Sequence, residues 1–184
     1  MLVTHAQAEP DELDVVLELL DDAAARLREL GIAQWPESFS RQEGWRLERL
    51  RSYLESGETH LFYCAGEPAA TVTLTGADPD FAHGWPDGPD AGLCFYRLAV
   101  HRKFAGLGLG ARIVDWASAC AVSGGFEWLR CDVHRRNRGL QRFYEGLGFE
   151  RVGTVVTVID GDDGLPYERG SGALFQRPAG AVTV

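Results

Sequence analysis

The stretch "RKFAGLGLGARIVDWA", Arg102 to Ala117, constrains the fold more than any other part of the chain. Gly106, Gly108 and Gly110 stand at alternate positions between an apolar run, "LCFYRLAV", and a segment in which Ile113, Ala117, Cys120 and Ala121 follow helical spacing. A further strand-like run, "EWLRCDV", comes next, so the order is strand, glycine turn, helix, strand, and the two strands are expected to pair in parallel near Phe95 and Leu129. Glycines at such a turn either let the chain reverse direction or let a ligand approach the backbone closely. Successive N–H groups at a helix N-terminus form a cradle for an anion, and the helix dipole adds partial positive charge. Arg102, Lys103 and Arg112 would add side-chain charge there.

The rest of the pattern surrounds this unit. Residues 2–7 read as an edge strand, and Asp11 to Leu30 as a helix stopped by Gly31. Ser40 with Glu43 has the form of a capping box, which predicts a second helix from about Arg41 to Leu54. "HLFYCA" and "AATVTLT", separated by "GEP", read as a hairpin. A loop from Ala77 to Ala91 precedes the central strand. "NRGLQRFYEGL" reads as a helix, "GFERVGTVVTVI" as one strand, "DGDDGLPYERG" as a loop and "SGALFQR" as a closing strand. The expected fold is α/β, a mixed sheet with helices on both faces. A chain of 184 residues suits a single domain over 1–184.

Composition narrows the function. No signal-peptide pattern is evident, and the apolar runs are too short to cross a bilayer, so a cytoplasmic protein without a membrane role is expected. Cys64, Cys94, Cys120 and Cys131 form no close pair, which predicts reduced thiols and no metal site. Net charge is −9. From Arg97 to Arg151, however, ten Lys/Arg face five Asp/Glu, while the remainder carries eight against twenty-two. A basic segment in an acidic body argues against nucleic acid and for a local anionic ligand.

Three readings of the turn compete. It could be structural only. Gly106-x-Gly108-x-x-Ala111 also satisfies a dinucleotide fingerprint, with Asp132 standing roughly where a ribose-binding acid would. Yet five residues, His101 to Ala105, separate strand from glycine, and the motif sits in mid-chain after a meander. The third reading is a pyrophosphate cradle of another kind, as coenzyme A would need. Downstream, Asn137 and Tyr144 lie seven residues apart, two helical turns on one face. "RLAV" (Arg97 to Val100), the turn Ala105 to Gly110, and Asn137, Tyr144-Glu145 and Gly148-Phe149 in order resemble the GNAT superfamily of N-acetyltransferases. The first turn position is Ala105 where that pattern has Arg or Gln.

The resemblance implies a splayed GNAT-like sheet and acetyl-CoA as cofactor, with no metal. It assigns residues 1–90 to framing the acceptor, 91–157 to the acetyl-CoA core and 158–184 to a C-terminal hairpin. Cofactor contacts are then expected from Leu98, Ala99 and Val100, from Arg102, Lys103 and Ala105, from Gly106, Leu107, Gly108, Leu109, Gly110 and Ala111, and from Asn137, Arg142 and Tyr144. Tyr144 is the candidate general acid; His134, Tyr96 or a water chain to an acidic residue is the candidate base. Trp35, Phe81, Trp85 and Tyr167, with Asp78, Asp80, Asp87, Asp162, Asp163 and Glu168 nearby in sequence, would suit a cationic amine. The implied reaction is direct acetyl transfer to a primary amine of a small molecule, such as an amino acid, polyamine or aminoglycoside. A protein N-terminus or lysine as acceptor, a silent acyl-CoA sensor and a nicotinamide-dependent enzyme are the alternatives, and a homodimer is compatible with the sequence.

Overall fold

The computed structural model describes residues 2–76, 83–160 and 166–182. Its strands follow the order β1-β2-β3-β4-β5-β9-β6 in an open mixed sheet, with β7 and β8 forming a separate pair. The chain divides into two compact units, 1–75 with 95–114, and 76–94 with 115–184.

In the first unit, β1 (Val3–Gln7), β2 (Thr59–Cys64) and β3 (Glu67–Thr75) form an antiparallel meander. The β2–β3 turn is shorter than the expected "GEP". Ala65 and Gly66 both have positive φ, 53° and 83°, which matches the twist of a two-residue hairpin, and Glu67 and Pro68 already belong to β3. Helix α1 (Leu13–Glu29) buries Val16, Leu17, Leu19, Leu20 and Ala24, and Gly31 at φ 71° ends it as the sequence suggests. These residues join Phe39, Leu50, Leu54, Leu61 and Ala99 in one core.

Helix α2 departs from expectation. It spans Trp45–Glu55 with Gly44 at its N-cap, and Ser40 caps nothing. Instead Asp21 on α1 gathers the segment before it, accepting from the hydroxyls of Ser38 (3.0 Å) and Ser40 (2.5 Å) and from the amides of Phe39 and Ser40. Burial alone would raise the Asp21 pKa, but these bonds hold it below the ordinary value. A long-range carboxylate outbid the local capping box.

In the second unit, β4 (Gly92–Val100) begins, and its first three residues pair in parallel with β5 (Trp128–Val133), Gly92↔Trp128 to Cys94↔Arg130. Helix α3 (Leu109–Ser123) links the units' segments, and α4 (Arg138–Gly146) follows β5. The expected single strand after α4 is two strands in different sheets, β6 (Glu150–Thr154) and β7 (Val158–Asp160), and the expected loop contains β8 (Pro166–Glu168). The closing strand β9 (Ala173–Pro178) lies between β5 and β6, antiparallel to both.

Two arginines are wholly buried here, and each is paired with a carboxylate. Arg130 pairs with Asp87, donates to the Gly88 carbonyl (2.6 Å) and to Gln176 (3.3 Å), and lies 4.7 Å over the Trp85 ring. Arg177 reaches Asp115 (2.9 Å) and the Leu147 carbonyl (3.0 Å), so β9 ties α3 to the end of α4. Gly92 makes the Arg130 arrangement possible, because a Cβ there would stand 2.3 Å from Arg130 Cδ. Gly92→Ala is therefore expected to lower unfolding free energy by about 2 kcal/mol through overpacking, read as a lower urea midpoint at unchanged slope.

Candidate active site

The turn after β4 is built from its neighbours. The His101 amide donates to the Ala69 carbonyl (2.9 Å), and His101 Nδ1 accepts from the Lys103 amide (3.1 Å). Phe104 is buried beneath them. Beyond it, Leu109, Ile113 and Val114 sink into the core and fix the start of α3. Between these anchors the backbone is open. Gly106 and Gly108 have φ of 77° and 72°, and a Cβ on either would meet only open space. The Gly108 carbonyl accepts the first helical bond, from the Arg112 amide (3.2 Å). The amides of Gly106 to Ala111 have no acceptor among the described residues. A helix start with free donors, no Cβ in the way and a positive dipole end is what a pyrophosphate requires.

The charges around the turn are distributed differently from expectation. Arg102 pairs with Asp22 (2.5 Å) and Glu29 (3.1 Å), and its own amide donates to Asp22 (2.8 Å). Lys103 pairs with Glu67. Both side chains thus pin the turn to α1 and β3. Arg112 is exposed on the first turn of α3, with no ion-pair partner among the described residues. On β4 itself, Ala99 is buried, Leu98 and Val100 are half-buried, and Arg97 adopts φ 50° in mid-strand. That conformation is costly for a side chain with a Cβ and breaks the regular pleat just before "LAV". Nothing in the sequence signals it.

In the second unit, Asn137 caps α4, its side chain accepting from the Leu140 amide (3.0 Å). Gln141 closes the junction by donating to the carbonyls of His134 (3.1 Å) and Arg135 (3.0 Å). Tyr144 is 5 % exposed, with Phe143 and Phe149 edge-on to its ring. Burial, then the neighbouring Cys131, pushes its pKa well above the ordinary value, so the hydroxyl holds its proton at neutral pH. Arg142 is exposed on the same helix.

His134 is buried, and burial followed by Arg135 and Arg136 lowers its pKa. Its Nδ1 accepts from the Arg136 amide (3.3 Å), and its ring lies so close to Gly170 that a Cβ there would stand 2.1 Å from Nε2. Tyr96 is buried on β4. Of the expected acceptor residues, Trp35 packs edge-on to Phe39 at the first unit's core. Trp85 is 7 % exposed beneath Arg130. Phe81, with Asp78, Asp80, Asp162 and Asp163, lies outside the described residues, and of Tyr167 only the place on β8 is described. Asp87 pairs with Arg130, and Glu168 with Arg135.

Asp132 on β5, which the sequence placed only where a ribose-binding acid would stand, is buried in the structure. Its side chain is 6 % exposed. It accepts from the Gly172 amide and faces Arg169 at 3.9 Å. Burial raises its pKa to about 6 against the opposing effects of Arg169, Gly172, Ser171 and Arg135. The available signal was an acid inside an otherwise apolar strand end.

A family model for the acetyltransferase (GNAT) domain matches residues 56–151. The protein described as uncharacterized N-acetyltransferase YesJ of Bacillus subtilis strain 168 is 30% identical over 145 residues, 78% of this chain and 79% of that one. The chain belongs to the GNAT family of acetyltransferases. It is accordingly an N-acetyltransferase that uses acetyl-CoA. A GNAT-family acetyltransferase from Listeria monocytogenes 4b F2365 superposes with a TM-score of 0.70 at 22% identity, covering 96% of this chain and 94% of that one. YncA, a putative acetyltransferase from Salmonella typhimurium solved with its cofactor acetyl-CoA, gives 0.63 at 16% identity, covering 97% and 95%. Among the described residues no cluster of metal-ligating side chains occurs, and no helix is long and apolar enough to cross a membrane.

The Asn137 cap on α4 carries a stability contribution of its own. Asn137→Ala is expected to cost about 1 kcal/mol of stability in chemical denaturation, whereas Asn137→Asp, which keeps the acceptor oxygen, should cost much less.

Proposed function

We propose that the protein transfers the acetyl group of acetyl-CoA to a primary amine of a small molecule. The observation that carries this reading is the row of unbonded amides from Gly106 to Ala111 above two left-handed glycines. Those amides, aided by Arg112, would hold the pyrophosphate, and the backbone of Leu98 and Val100 would pair with the pantetheine arm. Acetyl-CoA, when bound, supplies an activated thioester. The chain supplies positioning and protons. Tyr144 keeps a proton on its hydroxyl oxygen and can give it, or a hydrogen bond, to the departing sulfur. The acceptor is a cationic amine such as an amino acid, polyamine or aminoglycoside-like compound, as the acidic, aromatic loops of the sequence suggest. A protein N-terminus or lysine is the competing acceptor, and it would need an open peptide groove.

The test is calorimetric titration with acetyl-CoA and CoA, followed by thiol release across amino acids, polyamines, amino sugars and peptides. Binding followed by thiol release with a small amine supports the reading; release only with peptides would move the acceptor to protein, and no CoA binding would overturn it. Gly108→Ala places a methyl group in the open cradle and should weaken CoA binding about tenfold, or roughly 1.4 kcal/mol. Tyr144→Phe should reduce kcat at least about 100-fold with little change in the Kd for acetyl-CoA.

A further inference from the structure

Outside the β2–β3 turn, Arg97 is the only non-glycine residue with positive φ among the described residues. A side chain with a Cβ holds that conformation only where its surroundings enforce it, and such positions cluster at functional sites. Two residues on, Ala99 belongs to the same core as Leu50 and Leu54 of α2. Arg97 reaches that helix, with its guanidinium carbon 5.4 Å from the centre of the Tyr53 ring. Arg49 approaches the same ring at 5.7 Å, and its Nε donates to the Tyr53 hydroxyl at 3.0 Å. One turn earlier, Arg46 lies over the Trp45 ring at 4.7 Å. Arg46, Arg49 and Tyr53 follow three- and four-residue spacing and so share one face of α2. All three arginines are half-buried, and Tyr53 is buried.

We propose that Arg97, together with Arg49, holds a carboxylate of the acceptor, and that the acceptor is therefore a free amino acid. The proposal rests on the acetyltransfer reading above. Stacking on an aromatic ring occupies the flat face of a guanidinium and leaves its in-plane N–H groups at the edge, in the fork that matches a carboxylate. Tyr53 is the platform that fixes both forks, through its ring for Arg97 and through ring and hydroxyl for Arg49. Guanidiniums gathered on one side repel, and the repulsion grows as water is excluded. An anion placed among them relieves it.

The position on β4 relates this charge to the reaction. Arg97 directly precedes Leu98 and Val100, whose backbone would pair with the pantetheine arm. A carboxylate held at Arg97 leaves the neighbouring amino group of the same small molecule beside the thioester. Among the three acceptor classes, only the amino acid brings an anion to this place. Polyamines and aminoglycosides carry cationic groups alone, and the arginines disfavour them. The left-handed backbone at Arg97 re-aims its side chain out of the regular alternation of the strand, which gives the strained residue a role in specificity.

The test measures thiol release at saturating acetyl-CoA for each free amino acid and its α-carboxamide, alongside spermidine and kanamycin. The amide keeps the amine and loses the charge. For the best amino acid, wild-type kcat/KM should exceed that of its amide at least about 30-fold, chiefly through KM. Arg97→Asn, a residue that tolerates positive φ, should bring that ratio to within about threefold of one. Arg97→Lys keeps the charge without the fork and should restore only part of it. The wild-type comparison needs no variant, so it decides the matter even where a substitution fails to fold. An acid-to-amide ratio near one, faster release with spermidine or kanamycin, release only with peptides, or an unchanged ratio in both Arg97→Asn and Arg49→Gln would overturn this proposal alone. Absence of acetyl-CoA binding in the wild type, or of thiol release with every amine, would instead overturn the acetyltransfer reading beneath it.

Discussion

No helix can bond its own first amides, and in this chain that shortfall is left open at the start of α3. Ordinary proteins close such ends with a side-chain cap. Here Leu109 is buried below and Leu107 is 52 % exposed above, so the backbone between them turns with nothing covering it. The shape of the turn comes from Phe104 packed underneath, from His101 bonded to Ala69, and from Arg102 and Lys103 tied to acids on α1 and β3. Two basic residues that charge counting assigned to the ligand thus hold the cradle, and the main chain carries the attraction.

The same redistribution of charge runs through the molecule. Arg130 and Arg177 sit in the basic segment of the sequence, yet neither reaches solvent. Each satisfies carbonyls and a carboxylate, which is how a guanidinium tolerates burial. Net charge along a sequence therefore overstated the surface charge of that segment.

Much of the fold was legible because periodicity and turn chemistry agreed. The α1 stripe, the Gly31 stop, the parallel pair after the glycine turn and the Asn137 cap all follow from local rules. What the sequence concealed was decided at long range. Asp21 captured Ser40 from across 19 positions, and no local pattern announces that. Trp85 reads as an exposed aromatic until Arg130 is seen stacked on it. The positive φ of Arg97 and the burial of Asp132 depend on strand neighbours that only assembly supplies. The open glycine turn was readable because its geometry lies in the backbone and in glycine.

The insertion of β9 between β5 and β6 bears on how the chain acquires its structure. Val133 meets Ala173, and Arg151 meets Phe175, so β5 and β6 have no ladder to one another until the last strand arrives. The meander of β1 to β3 closes with near neighbours and can form as soon as it is made. The second unit must wait until the segment through Pro178 has left the ribosome, a late step of high contact order. During synthesis Arg130 and Arg177 therefore stay hydrated, and their desolvation is postponed to the moment when every partner is present.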